Sequence, residues 1–230
     1  MKTVGILGGF GPESTAKFQL EIVDIFRAKK IKTRPPILIW NTPIPLKIER
    51  NLILKSEDIR EFLPFLVDGA ERLDKAGADF LVIPCNTLHI LMGKLQPLVK
   101  LPILSIIEET ANTLSEKGIK TVGIIGTELM VKSNIHQNSL QLLGIQPVLP
   151  SQDDQDLINQ CINLILANKN ALRVEESLSK IIKKIETKGV KDILLACTDL
   201  KPFIKGVPEA KIHDTLQILA KSTVEKMIGE

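Results

Sequence analysis

Two apolar runs in this chain each stop at a cysteine. Leu81-Val82-Ile83-Pro84 leads into Cys85, followed by Asn86, Thr87, Leu88 and His89; Ile193-Leu194-Leu195-Ala196 leads into Cys197, followed by Thr198 and Asp199. Each run reads as a buried strand, and the end of a strand is where an open parallel sheet places its ligand. A thiolate is a good proton acceptor near neutral pH once its surroundings pull its pKa below about 8.5. A helix beginning after each cysteine would favour negative charge there. Its backbone N–H groups, with the side chains of Asn86, Thr87 and Thr198, suit a carboxylate. With a small acid between two such thiols, one thiolate removes the α-proton while the other, as a thiol, protonates the opposite face, and the product is the mirror image. An α-hydrogen beside a carboxylate is weakly acidic, so hydrogen bonds to the developing enediolate must supply much of the stabilisation. A lone strand-end cysteine more often packs than reacts; the matched pair is what points to chemistry. Cys161 lies in an apolar helical pattern and reads as core.

The elements that must position these residues are set by periodicity and punctuation. Val4 to Leu7 reads as a strand, Gly8 to Pro12 as a glycine-rich turn, and Glu13 to about Lys30 as a helix with Ala16, Leu20, Val23 and Phe26 at helical spacing. Ile37 to Trp40 is a second strand, followed by a proline-rich loop. Ser56-Glu57-Asp58 starts a helix that turns Ile59, Phe62, Phe65, Leu66 and Ala70 inward and stops at Gly77. Phe80 to Pro84 delivers Cys85, a short helix ends before Pro97, and Pro102 to Leu104 is a fourth strand. The opening phrase then returns: Lys2-Thr3-Val4-Gly5-Ile6-Leu7-Gly8 matches Lys120-Thr121-Val122-Gly123-Ile124-Ile125-Gly126, and the two cysteine phrases are offset by nearly the same distance. A helix after Thr127, a strand near 146–149, helices near 153–167 and 174–188, and strand 192–196 complete the second copy. A last helix is expected over about 213–228. Strands alternating with amphipathic helices indicate parallel sheets covered on both faces. The expectation is an α/β fold of two similar Rossmann-like domains, 1–105 and 106–212, related by a pseudo-two-fold axis with the active site in the cleft between them. The terminal helix 213–230 is expected to pack back on the first domain.

Composition narrows the function. The 230 residues are 44% hydrophobic, ample for a core, and only 3% aromatic with no tyrosine, which argues against a stacking surface for single-stranded nucleic acid. A net charge of +3, with Lys and Arg scattered among Asp and Glu, gives no nucleic-acid footprint. Three cysteines without a C-x-x-C pair make neither a disulfide framework nor a zinc knuckle. Reduced thiols in a cytoplasmic chain are expected, with no metal, no membrane span and no signal segment. Nothing suggests a pyridoxal phosphate site or any other cofactor.

At these residues the chain resembles the aspartate/glutamate racemase family, the cofactor-independent racemases of acidic amino acids. Gly5-Ile6-Leu7-Gly8-Gly9-Phe10-Gly11-Pro12-Glu13-Ser14-Thr15 is similar to that family's glycine-rich signature. Pro84-Cys85-Asn86-Thr87-Leu88-His89 resembles its first cysteine motif, Ala196-Cys197-Thr198-Asp199-Leu200 its second, and Asp214-Thr215 with Leu219-Ala220 its C-terminal segment. The resemblance covers essentially the whole chain and implies a homodimer that racemises aspartate or a close relative. It implies Cys85 and Cys197 as the acid/base pair, and Asn86, Thr87, Thr198 and Thr127 as substrate contacts. Gly9 and Gly11 would let the first loop approach the ligand. Two positions depart from the pattern. Asp199 stands where the family usually has Glu. Lys47 stands near an arginine that grips the distal carboxylate in some members, and lysine lacks the bidentate fork. Lys169 is a second cationic candidate, and His89, one turn beyond Cys85, either tunes the thiol, contacts substrate, or is a helix-facing histidine hydrogen-bonded nearby.

Three other readings compete. A dinucleotide-binding enzyme would need G-x-G-x-x-G, but Gly9-Phe10-Gly11-Pro12-Glu13-Ser14 ends in serine, and the second strand ends at Asn41 rather than at an acid. A dicarboxylate isomerase or decarboxylase on the same scaffold would not need a thiol for each face. A non-catalytic amino-acid-binding module would not need the thiols at all.

Overall fold

The two copies of the repeat each build a four-stranded parallel sheet. The protein is represented by a computed structural model that describes residues 1–45, 48, 58–205 and 209–229. The first sheet contains β1 (Val4–Gly8), β2 (Ile37–Asn41), β3 (Phe80–Val82) and β4 (Ile103–Leu104), in the order β2-β1-β3-β4. The second contains β5 (Thr121–Ile125), β6 (Gln146–Val148), β7 (Asp192–Leu195) and β8 (Lys211–Asp214), in the order β6-β5-β7-β8. Every pairing is parallel. The two opening phrases form β1 and β5, in equivalent interior places. Strands β1 and β3 are buried at every residue, as expected for interior strands covered on both faces.

Contacts divide the chain into one unit of Met1–Glu109 with Leu216–Glu230 and a second of Thr110–Thr215. In the first unit, α1 (Pro12–Ala28) starts with Pro12 just after its N-cap, Gly11. It buries Thr15, Phe18, Ile22 and Phe26, not the expected stripe, because Phe18-Ile22-Phe26 is the bulkier i, i+4, i+8 row; Leu20 is left 61% exposed. Ser56 and Glu57 lie outside the described residues. Asp58 caps a short 3-10 turn, Ile59–Phe62, by accepting from the Arg60 N–H, and α2 (Leu63–Lys75) follows. Phe62, Leu66, Ala70 and Leu73 pack on Leu7, Leu81 and Ile83 to form the core of this unit. The short helix expected before Pro97 is a single turn, α3 (Met92–Leu95). A helix not assigned by periodicity, α4 (Ile106–Glu116), carries Glu108 and Glu109 in its first turn, where the helix dipole favours acids.

In the second unit, α5 (Glu128–Lys132) and α6 (Ile135–Leu142) connect β5 to β6. Beyond β6, α7 (Gln152–Leu166) and α8 (Ala171–Glu186) pack as a pair over the sheet. Cys161 is 1% exposed among Ile158, Val174 and Leu178, and burial raises its thiol pKa. It is a core residue. The terminal helix needs a correction: residues 211–214 are β8, paired with β7 from Asp192↔Lys211 to Leu195↔Asp214, and α9 runs from Thr215 to Ile228. Lys-Ile-His-Asp is too short and too polar to announce a strand. In the first unit, the Lys2 N–H donates to Met227 O at 2.8 Å and the Lys226 ammonium sits over the Phe80 ring. Among the described residues, no helix is long and apolar enough to cross a membrane.

Candidate functional site

Two half-sites lie at the carboxyl ends of the interior strands, one in each unit. In the first, the β1–β3 ladder pairs Ile6 with Val82. Continuing that register brings Gly9 level with Cys85. Gly9 has φ +95°, and a β-carbon there would lie 2.7 Å from Thr42 N and 2.8 Å from Thr42 O, so only glycine allows the β1 and β2 ends to close this tightly. The Gly9 N–H donates to Thr15 Oγ1 at 3.0 Å, and that hydroxyl donates to Gly11 O at 3.1 Å. The glycine loop is thereby tied to the first turn of α1.

Cys85 is half-buried, with its N–H donating to Ile83 O at 2.8 Å. No disulfide involves it, Cys161 or Cys197. Asn86 is 2% exposed and Thr87 opens a 3-10 turn, Thr87–Leu91. His89 is 4% exposed, and both of its ring nitrogens bond to backbone. The Ile106 N–H donates to Nε2 at 3.2 Å, so Nε2 carries no proton and Nδ1–H donates to Cys85 O at 2.8 Å. Burial lowers its pKa from 6.5 to about 4, against the opposing bond to Cys85. His89 is therefore a neutral brace between the cysteine loop and α4. This arrangement leaves neither ring nitrogen for a substrate, which corrects the expectation of a substrate contact there.

The second half-site repeats the geometry with different braces. Strands β5 and β7 pair Ile125 with Leu195, and the Ala196 N–H extends the ladder to Ile125 O at 2.8 Å. Continuing the register sets Thr127 level with Cys197, the counterpart of Gly9 beside Cys85. Thr127 caps α5, its hydroxyl accepting from the Met130 N–H at 3.3 Å. At Gly126 a β-carbon would lie 3.0 Å from Ala196 O, so the strand ends approach closely here too.

Two residues of α7 anchor this loop, and sequence reading missed both. Gln155 Nε2 donates to Gly126 O at 3.0 Å and to Asn159 Oδ1 at 3.1 Å. Asn159 Oδ1 also accepts from the Glu128 N–H at 3.2 Å, while its Nδ2 donates to Glu128 Oε2 at 3.1 Å. Gln155 is 5% exposed and its Oε1 has no hydrogen-bond partner. The only sequence signal was polar Gln and Asn at i, i+4 spacing in an otherwise amphipathic helix.

Cys197 is half-buried, Thr198 is 6% exposed and Asp199 is half-buried. Neither cysteine is succeeded directly by the full helix expected there. After Cys197 the Leu200 N–H turns back to Cys197 O at 3.3 Å, and a 3-10 turn, Lys201–Phe203, comes next. The dipole of a full helix therefore does not begin directly after either cysteine. Asp214, 6% exposed, closes β8 level with Leu195, and the Thr215 hydroxyl donates to Leu195 O at 3.0 Å. At the other end of β7, His213 Nε2 lies 2.7 Å from Asp192 Oδ1. Burial, the larger effect, lowers the His213 pKa in spite of that carboxylate.

Of the two cationic candidates, Lys169 is not placed at these strand ends. Lys47 lies outside the described residues. Lys169 is exposed in the turn between α7 and α8, its N–H donating to Leu164 O at 2.9 Å. Among the described residues, no group of three His, Cys, Asp or Glu side chains is placed to hold a metal ion.

Comparison with known proteins bears on both half-sites. Residues 7–223 match the model of the family described as Asp/Glu/Hydantoin racemase. The chain is 32% identical over 231 residues to the broad specificity amino-acid racemase RacX of Bacillus subtilis (strain 168), covering 98% of each. Among solved structures it is similar to an aspartate racemase homologue from Pyrococcus horikoshii OT3, with TM-score 0.81 and 26% identity, covering 99% of this chain and 100% of that one. It is likewise similar to the Picrophilus torridus aspartate racemase, with TM-score 0.83 and 26% identity, covering 100% and 95%.

Proposed function

We propose that this chain, which belongs to the Asp/Glu/hydantoin racemase family, inverts the α-carbon of an acidic amino acid, aspartate ahead of glutamate, without a cofactor. Cys85 and Cys197 are the two bases. The observation that carries this assignment is their equivalence: each thiol follows an interior strand of one of two topologically identical sheets, half-buried and level with the loop from the neighbouring strand. Inversion needs one proton-transfer group for each face of the α-carbon, and the chain supplies one such thiol in each unit.

In one direction the Cys85 or Cys197 thiolate takes the α-proton and the other thiol returns a proton to the opposite face. The substrate leaves inverted and the two thiols have exchanged protonation states. Asn86, Thr87, Thr127 and Thr198 are assigned to the α-carboxylate, where their hydroxyl and amide donors would stabilise the enediolate. The Gly9–Gly11 loop brings backbone close to it. Asp199 is assigned to the substrate ammonium and Lys47 to the distal carboxylate; Lys169, exposed in the turn after α7, is not given a substrate role. The active unit is proposed to be a homodimer.

A broader substrate range is the second reading. It is favoured by the likeness over nearly the whole chain to a racemase named for broad specificity, and by a lysine, Lys47, near the position where the resemblance implies an arginine, since lysine is a point charge rather than a fork.

Proton NMR in D2O without added cofactor tests the proposal, first with L-aspartate, then L-glutamate, then a neutral amino acid. Loss of the α-proton signal with growth of the D-enantiomer is expected for aspartate. Cys85→Ser and Cys197→Ser are each expected to abolish inversion while ligand binding survives. Full turnover by either variant would end the two-base assignment.

A further inference from the structure

We propose that a groove at the amino-terminal edge of the second sheet, opposite the end that carries Cys197, binds a phosphate-bearing anion. The groove has a volume of about 530 Å³ and lies wholly within the second unit. Its floor is made of the first residues of three strands, Thr121, Asp192 and Lys211, and its rim carries Lys117, Lys120 and Lys191. Four lysines thus face one carboxylate, and that carboxylate is engaged by His213 at 2.7 Å.

A lysine after a helix is often explained by the negative end of the helix dipole. That account covers Lys117, which comes after α4, and leaves out Lys120, Lys191 and Lys211, which precede or open strands. Among the described residues none of these three is in an ion pair. Exposed like charges gathered around one carboxylate that His213 already engages repel one another weakly, and a multiply charged anion relieves that cost. The volume falls in the range of small-ligand sites, and phosphate oxygens suit point-charge lysines.

The repeat supplies an internal control. Register places Asp79, just before β3, where Lys191 stands just before β7. In the first unit Asp79 Oδ2 accepts from the Thr3 N–H at 2.6 Å, and Met227 covers the neighbouring Lys2 N–H. The same edge of the same fold is therefore closed by its own chain in one copy, with an acid, and lined with lysines in the other. The scaffold therefore does not require Lys191 or Lys211, whose counterparts are Asp79 and Pro102, whereas Lys120 has its counterpart in Lys2.

The test is a titration of the isotope-labelled full chain with sodium tripolyphosphate, then with ATP, at fixed ionic strength. Saturable amide shifts are expected at Gly118, Ile119, Gly189 and Lys191, with Thr3 and Asp79 unmoved. The Lys120→Ala/Lys211→Ala double variant should weaken binding roughly tenfold, since each exposed pair contributes up to about fivefold. The same variant should keep the wild-type unfolding midpoint. The His213 imidazole should titrate at higher pH with anion bound, because Lys117 and Lys211 are among the charges that hold it down. Equal affinity for tripolyphosphate and ATP identifies the phosphate chain as the recognised part; tighter ATP binding identifies a nucleotide. Shifts that never saturate, that centre elsewhere, or that the double variant reproduces at full affinity would overturn the proposal. Racemisation plays no part in the readout, so its outcome leaves this result unaffected.

Discussion

Replacing His89 with glutamine should remove a defined part of the protein's acid sensitivity. In the folded chain His89 is buried and its pKa is lowered from 6.5 to about 4. Between those values the unfolded chain holds a proton on this residue that the folded chain does not, so stability rises with pH across that window. The contribution is fully present above pH 6.5 and is lost as pH falls toward 4. Each pKa unit corresponds to about 1.4 kcal/mol, so wild type should lose about 3 kcal/mol more than His89→Gln over this interval. The variant starts lower at neutral pH. The bonds to Cys85 O and from the Ile106 N–H are lost or poorly replaced, a cost of about 1–3 kcal/mol. Urea unfolding of both chains above about pH 7 and near pH 4 measures the difference. His213 and the carboxylates titrate alike in both, so their effects cancel. Equal acid sensitivity in the two proteins, or a His89 imidazole that titrates at its ordinary value by NMR, would refute the neutral-brace account.

Gly9→Ala should destabilise the first unit by about 2 kcal/mol or more, because it adds a left-handed alanine to a β-carbon 2.7 Å from Thr42 N; thermal unfolding reports the loss, and a stable Gly9→Ala protein would mean the loop opens freely. Gln155→Leu should cost about 1–3 kcal/mol by leaving Gly126 O without its donor. Its kcat should fall further than its KM rises, since the Thr127 loop loses its anchor while the substrate contacts remain. Gln155→Glu, with no donor for Gly126 O at neutral pH, should resemble Gln155→Leu rather than wild type.

The strand-ending cysteines were legible because two signals coincide on them: an apolar run long enough to be a buried strand, and a second copy of that run at a nearly constant offset. That the two sheets are alike was implied by the same repeat, since β1 and β5 carry the matching phrases and occupy matching places; the strand order within each sheet was not read from the sequence. The braces were not legible. His89 reads in sequence as a residue one turn beyond a thiol, a spacing that suits a tuning partner and a structural one equally; burial and the Ile106 N–H decide between them. Gln155 and Asn159 act through contacts about thirty residues away in the chain, which no local pattern reports. Strand β8 escaped because its buried residues are a histidine and an aspartate. The 2.7 Å bond between His213 and Asp192 makes the burial of that histidine tolerable, and periodicity counts only apolar side chains.

The two copies have diverged unevenly, and where they differ says what each end of the fold must do. At the carboxyl ends of the interior strands the arrangement is kept even though the means differ. Cys85 is braced by an imidazole bonded to its own carbonyl, and Cys197 lies beside a loop braced by an amide pair from α7. The same backbone level is thus reached by unrelated side chains, which is expected if the position of a thiol relative to its neighbouring loop is the thing that matters. At the amino ends the opposite holds. An acid that ties down β1 in one copy stands where a lysine opens a groove in the other. Ends that share a task keep one geometry with different residues; ends that do not are free to acquire different charge, and with it a different ligand.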